Sequence, residues 1–160
     1  MTINQAILLA KKLMSNYPEL KYWNVTFNNR KRAFGVCNYR KHQIELSSLL
    51  VPAMTENAIQ NTIIHEIAHA LTPGHNHDSI WKAMCIKLGG NGQRCGGSEK
   101  YEGGVQGLKS TQEKLAKYTL TCPCCGKTSY ANRKPRTKSC GVCCPRHYNE
   151  NYKLVVTQNY

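Results

Sequence analysis

Acidic residues are scarce in this 160-residue chain: 9 Asp+Glu stand against 22 Lys+Arg, for a formal net charge of +13. A chain so poor in acid is ill suited to basic partners, and the excess favours an acidic one, nucleic acid being the usual case. Residues 94–160 hold 12 of the basic and 4 of the acidic residues, +8 of the total, against +5 for residues 1–93. Long apolar runs are missing too. No window approaches the roughly 18 consecutive apolar residues of a membrane span, which argues against a membrane protein. The opening MTINQAILLAKKLMSNYPEL lacks a basic head before an apolar run and lacks a small-residue cleavage site, so no secretory signal is predicted. The expected compartment is the cytoplasm. Internal repeats and low-complexity tracts are absent, and a hydrophobic fraction of 41% argues against wholesale disorder. At this length one domain, or one domain with a small appendage, is expected.

Cysteine, by contrast, is plentiful. There are 9, six of them at positions 122, 124, 125, 140, 143 and 144. A disulfide framework would more often show an even, dispersed set behind a signal peptide. Clustered pairs without one point to metal thiolates in a reducing compartment. Cys122, Cys125, Cys140 and Cys143 form Cys-x2-Cys-x14-Cys-x2-Cys, close to zinc-ribbon spacing. They predict a structural Zn²⁺ held by four thiolates, in a segment that would hardly fold without it. Gly126 and Gly141 are expected to permit the two turns. Cys124 and Cys144 break the two-residue spacing and read as spectators, as do Cys37, Cys85 and Cys95. Between the pairs lie Tyr130, Arg133, Lys134, Arg136 and Lys138, with no acid among them. As a ribbon hairpin this stretch could follow a phosphate backbone, with Tyr130 available for stacking. The plainer reading is a solvated hairpin tip.

Thr2 and Gln5 fit a capping box. Ile3, Ile7, Ala10, Leu13 and Met14 then recur at helical spacing until Pro18 stops the helix. Runs of strand formers at 23–27, 33–39 and 43–47 suggest a small antiparallel meander. A helix is predicted over 55–71, ended by Thr72-Pro73-Gly74, and another over 78–88. Eight glycines between 89 and 107 read as a loop-rich joint, followed by a short polar helix at about 108–118 and a closing strand at 152–157. The expected domains are 1–97, a linker with the short helix at 98–118, and a ribbon at 119–160.

The chemistry of the first domain rests on His65-Glu66-Ile67-Ala68-His69. Two histidines four apart project from one face of a helix, a geometry suited to two ligands of a tetrahedral zinc. Glu66, turned about 100° from His65, can reach a water at the metal's open position as a general base. At about 100° per residue from Ile59, Ile63, Ile67 and Ala70 lie within about 80°, and Ile64, Ala68 and Leu71 near 120–180°. His65, Glu66 and His69 fill the arc from about 240° to 340°. Such a helix is expected to be buried on two sides, where polar groups without partners would cost several kcal/mol; a metal supplies the compensation. The third ligand is open between His75 and His77. His75 has the HExxHxxGxxH spacing, but Thr72 stands where that pattern needs glycine. His77 begins His77-Asp78-Ser79-Ile80-Trp81, where Asp78 or Ser79 could cap the next helix and Trp81 pack one turn along.

In these residues the chain resembles the SprT family of zinc metalloproteases, which includes the Spartan-type DNA–protein crosslink proteases. Their motif is HExxH, a loop, and then His-Gly-x-x-Phe/Trp. Here His65-Glu66-x-x-His69 is followed by His77-Asp78-x-x-Trp81, with Asp78 in place of the usual glycine. The resemblance implies His65, His69 and His77 as ligands of a catalytic zinc and Glu66 as the catalytic base. It also implies an α+β fold: a small zincin-like domain with an N-terminal helix, a three-stranded antiparallel meander, the HExxH helix and the helix after it, with an appended β zinc ribbon. The implied activity is zinc-dependent hydrolysis of peptide bonds; apart from the resemblance, the edge of the 43–47 strand could hold an extended substrate by strand addition. Substrates would be DNA-associated or DNA-crosslinked proteins, and DNA, single strands included, would be bound by a monomer without sequence preference. The alternative is a non-enzymatic DNA-binding or regulatory protein in which both zincs are structural.

Overall fold

A computed structural model describes residues 1–94 and 100–160. Cys95, Gly96, Gly97 and the expected 97/98 boundary lie outside the described residues. The chain divides into two compact units, Met1–Leu108 and Lys109–Tyr160.

In the first unit α1 spans Ile3–Met14 and opens with the expected capping box, Thr2 and Gln5 each bonding the other's backbone N–H. Ala6, Ala10 and Met14 are its buried stripe. Three strands follow, β1 (Asn24–Asn28), β2 (Gly35–Asn38) and β3 (Gln43–Ser47). They do not form a meander. Their order is β1-β3-β2, with β1 parallel and β2 antiparallel to β3. The middle place goes to the strand best able to bury both faces. Ile44 and Leu46 are fully buried, and Glu45 on the opposite face is buried as well. Its carboxylate accepts Asn28 Nδ2 at 3.0 Å from β1 and Asn38 Nδ2 at 2.8 Å from β2. That double clasp ties β3 to both neighbours and holds the Glu45 carboxyl below its usual range. With both edges of β3 paired, the expected substrate edge is not there; among the described residues the outer edges belong to β1 and β2. The β2–β3 link is a 3₁₀ turn, Tyr39–Lys41, capped by Asn38 and closed by His42 in a left-handed conformation.

α2 (Glu56–Leu71) starts on Thr55, whose hydroxyl accepts the Ala58 N–H. Its apolar arcs meet different neighbours. Ile59, Ile63, Ile67 and Ala70 join Ala6, Ala10, Ile44 and Leu46 in the main core, while Ile64 and Ala68 pack on Trp81 and Cys85 of α3 (Ser79–Lys87). Each fully buried isoleucine contributes about 1.5–3 kcal/mol. Two covered arcs clamp the helix, and the third, bearing His65, Glu66 and His69, is left for chemistry. Asp78 caps α3, its Oδ1 accepting the N–H groups of Ile80 and Trp81 at 3.0 Å.

α4 (Gly104–Leu115) contains the boundary between the units; it starts and ends a few residues before the expected span. The second unit is an antiparallel sheet of order β5-β4-β6, built from β4 (Tyr118–Thr121), β5 (Thr128–Ala131) and β6 (Val155–Gln158). β6 lies later than the expected 152–157 because Glu150–Tyr152 forms a 3₁₀ turn. Its buried apolar side chains are few: Ala116, Tyr118, Leu120, Cys122 and Cys140. No helix among the described residues is long and apolar enough to cross a membrane.

Candidate metal centre

One turn of α2 and the residue before Asp78 bring three imidazoles together. The Nε2 atoms lie 3.2 Å apart between His65 and His69, 3.1 Å between His69 and His77, and 3.0 Å between His77 and His65. Ligand nitrogens around a tetrahedral zinc with bonds of about 2.0–2.1 Å would be about 3.3 Å apart, so the triangle is close to a ligand set. The Gln93 carbonyl acts on the His65 ring and the His75 carbonyl on the His69 ring, each favouring the protonated imidazole; backbone carbonyls are common outer-shell partners of metal-ligating histidine. Burial, first, and the neighbouring imidazoles push His65 and His69 down to about 4, and burial and Arg94 lower His77. Three neutral rings converging on one point cannot all satisfy each other by hydrogen bonds, and a divalent cation would satisfy them together. The residues present therefore fit a zinc ion.

The three rings rest on the Trp81 indole, with centroids 4.7, 5.3 and 4.6 Å from it for His65, His69 and His77. His77 has a φ of 60°, a left-handed backbone that costs a non-glycine residue about 1–2 kcal/mol. The Asp78 cap fixes the chain immediately after it, which holds His77 in that conformation. His75 points elsewhere: its Nδ1 bonds Asp78 Oδ2 at 2.7 Å, and it serves the cluster through its carbonyl. The structure thus brings His77, not the His75 side chain, beside His65 and His69.

Glu66 is 7% exposed and faces β2. Burial pushes its carboxyl up to about 7, against a hydrogen bond from the Cys37 backbone N–H and the charge of Lys100. The strand can come this close because residue 35 is glycine. A Cβ there would stand 2.7 Å from Glu66 Cγ and 2.9 Å from Thr62 Cγ2, inside van der Waals contact. Tyr39, just past β2, donates its hydroxyl to the His69 carbonyl at 2.7 Å, tying the same strand end to the end of α2. Gly35 and Tyr39 carry no role in the sequence reading, and Cys37 reads there as a spectator. A lone glycine within a run of strand formers was the available signal, since it often marks a close backbone approach.

Unit two brings Cys122, Cys125, Cys140 and Cys143 together, all Sγ atoms within 4.8 Å of one another. The Cys122–Cys143 and Cys125–Cys140 separations are 3.9 and 3.7 Å, near the roughly 3.8 Å between thiolates on a tetrahedral zinc and far beyond a disulfide's roughly 2.05 Å. Backbone N–H groups of Cys143 and Val142 lower the Cys140 thiol, while hydrogen bonds with Cys125 and the other sulfurs, together with desolvation, raise Cys143, so the clustered thiols hold protons that a metal would displace. Gly126 (φ 69°) supplies the left-handed turn of the first knuckle. Gly141 has no such φ and open space around it, so the second turn does not require glycine. Cys124 is exposed, and Cys144 donates to the His147 carbonyl; Cys85 is core and Cys37 lies on β2. The turn of the β4–β5 hairpin is the Cys122–Cys125 knuckle itself. The stretch with Arg133, Lys134, Arg136 and Lys138 is therefore the connection from β5 to the second knuckle, not a hairpin tip. All four cations are exposed, and Tyr130, on β5, is half-buried.

Among curated proteins and among solved structures, comparison found no match. The profile of the SprT-like family, however, matches residues 3–101, more than half of the chain. That span runs from the first residue of α1 past β3, α2 and α3, and it holds the three converging histidines and Glu66 on their scaffold. The chain belongs to the SprT-like family, a metalloprotease-like family.

Proposed function

We propose that the protein is a zinc metallopeptidase that hydrolyses peptide bonds with Glu66 as the proton-transfer group. The observation that carries this reading is the convergence of His65, His69 and His77 beside a buried Glu66 on the third arc of α2. A bound zinc would supply Lewis-acid polarisation of the scissile carbonyl. Glu66, raised to about 7 by burial, is poised to accept a proton from the attacking water and return it to the leaving amine near neutral pH. The Cys37 N–H orients its carboxylate, and Gly35 leaves room for it. The outer edge of β2, beside Glu66, suits an extended peptide docked by strand addition.

The substrates we assign are DNA-associated or DNA-crosslinked proteins. Two things support this: the resemblance to Spartan-type proteases, and the exposed Arg133, Lys134, Arg136 and Lys138, which can bind a phosphate backbone without sequence preference, on single strands as well. In this reading a cytoplasmic, DNA-associated monomer cuts with residues 1–97 and anchors through a zinc ribbon at 119–160. Glu66→Gln is expected to keep its zinc and lose proteolysis of an unfolded, DNA-bound protein by about 10²–10⁴-fold. Cleavage at the wild-type rate would remove Glu66 from the mechanism and favour a DNA-binding protein whose two zincs are structural.

A further inference from the structure

A cavity of about 510 Å³ lies where the end of α1 meets the 3₁₀ turn Pro18–Leu20, in the first unit but outside the histidine centre. Met14 and Leu20, both buried, give it an apolar base, and the rings of Tyr17 and Trp23 line it. The Trp23 ring is already packed, its centroid 6.0 Å from that of Tyr39 and 5.4 Å from that of His42. Tyr17 differs: it is half-buried against the main core, and among the described residues its ring and hydroxyl have no partner. The rim is basic. Lys11 comes from α1 and Lys21 from beyond the turn. Neither forms an ion pair among the described residues. Glu19, the one acid among residues 11–23, is exposed and stands outside the lining. Tyr22, next in the chain after Lys21, is 78% exposed, with Lys21 Nζ 5.5 Å from the centre of its ring. Aromatic rings interleaved with cations are the surface on which single strands are held, bases on the rings and phosphates on the cations.

We propose that this cavity takes an unstacked base of single-stranded nucleic acid, held against Tyr17, with the flanking phosphates on Lys11 and Lys21. The inference rests on the DNA-associated reading and adds to it a contact in the first unit, separate from the cations at 133–138. A base fits better than an apolar side chain of an acidic peptide for two reasons. Tyr17 offers a flat, amphipathic ring, and the Asn16 amide in the lining can bond a base edge, whereas an aliphatic side chain would leave it unpaired. The two cations also come from different elements, one for the phosphate on each side of the base. Trp23 connects the cavity to the centre: it packs on Tyr39, whose hydroxyl bonds the His69 carbonyl. A strand held here is therefore carried by the unit that holds the three histidines.

The test uses full-length, zinc-loaded protein carrying Arg133→Ser, Lys134→Ser, Arg136→Ser and Lys138→Ser, which removes binding by that segment. Fluorescein-labelled oligo-dT and an abasic oligomer of equal length and charge are compared by anisotropy at low salt. Oligo-dT is expected to bind roughly tenfold tighter, the scale of one base stacked on an aromatic ring. Tyr17→Leu keeps an apolar side chain on the core and is expected to abolish that difference while leaving the abasic affinity unchanged. Lys11→Gln/Lys21→Gln should weaken both oligomers and flatten the slope of log affinity against log salt by about 1.4, the share of two single-strand phosphates. Both lysines are exposed, so this variant tests the cavity even if Tyr17→Leu disturbs the core, and retained zinc content shows that the variants fold. Equal affinity for the two oligomers, or a preference that survives Tyr17→Leu, overturns the base site. So does Tyr17-dependent binding of an Asp-rich peptide with a central Leu where oligo-dT binding ignores Tyr17, because the cavity then takes protein. Loss of oligo-dT binding in the four-substitution protein alone overturns the cavity site and sustains the anchor at 133–138; loss in the unsubstituted protein as well overturns the DNA-associated reading.

Discussion

Seven side chains make up the two candidate metal centres, and they stand on different kinds of backbone. His65 and His69 belong to α2, clamped between the main core and the Trp81 cluster, and His77 is held by the capped start of α3. Cys122, Cys125, Cys140 and Cys143 stand on turns of a unit with few buried apolar side chains. The first centre is assembled by packing that exists without an ion, and three ligands leave a coordination position open for chemistry. The second has four ligands on turns held otherwise by a few buried apolar side chains and backbone bonds such as Cys140 N–H to the Tyr152 carbonyl, so metal binding and folding there are expected to be one process. A rigid scaffold lets an ion be reactive, whereas a closed thiolate cage makes the ion the scaffold.

The largest expected effect separates the two centres outright. Cys140→Ser, or a strong chelator, should unfold the second unit, because a structural zinc is worth about 10–16 kcal/mol of binding energy in such segments. Amide hydrogen exchange should lose protection across β4, β5 and β6 and keep it in α1 and α2; protected β4–β6 amides would show a sheet that stands alone. His77→Gly should discharge the first centre's zinc without unfolding its unit. Relief of the left-handed φ should leave the metal-free variant as stable as wild type or about 1 kcal/mol more so, measured by urea unfolding with chelator present. A large loss of stability would mean that the first centre is also a folding clip. Gly35→Ala sharpens the comparison within the first centre: zinc content is expected to stay and activity to fall roughly tenfold to a hundredfold as Glu66 is displaced.

The smallest effect concerns the sheet beneath the site. The hydrogen bonds from Asn38 and Asn28 lower the Glu45 pKa from 4.5. A carboxyl depressed in the folded state stabilises it above the unfolded pKa, and that stabilisation fades as pH falls through the folded pKa. Glu45→Gln should therefore cost about 1 kcal/mol near pH 7, and the deficit should narrow progressively below pH 4.5. A deficit independent of pH would place the cost in packing.

Much of the candidate site was legible because its signals are local. The three arcs of α2 follow from the helical period and reappear as core, Trp81 cluster and histidine face, except that Leu71 packs on the main core and not with Trp81. The cysteine pairs close turns of a few residues, and spacing describes such turns well. The strands were legible as strands but not as neighbours. Alternation says which face of β3 is buried and nothing about which strand lies beside it, so the meander failed where the Glu45 clasp decided otherwise. Both His75 and His77 were open to the sequence, with Thr72 counting against His75 and the SprT resemblance favouring His77; in the structure the Asp78 contact turns His75 away and the left-handed backbone of His77 turns it in.

By itself the sequence determined the helices, their caps, the HExxH face and the two knuckles, since each depends on residues within about one or two turns of each other. Only the tertiary structure decided that β3 is central and that Gly35 and the Cys37 N–H meet Glu66. Those groups are far apart in the chain, and nothing in a local pattern encodes which distant surfaces packing will bring into contact.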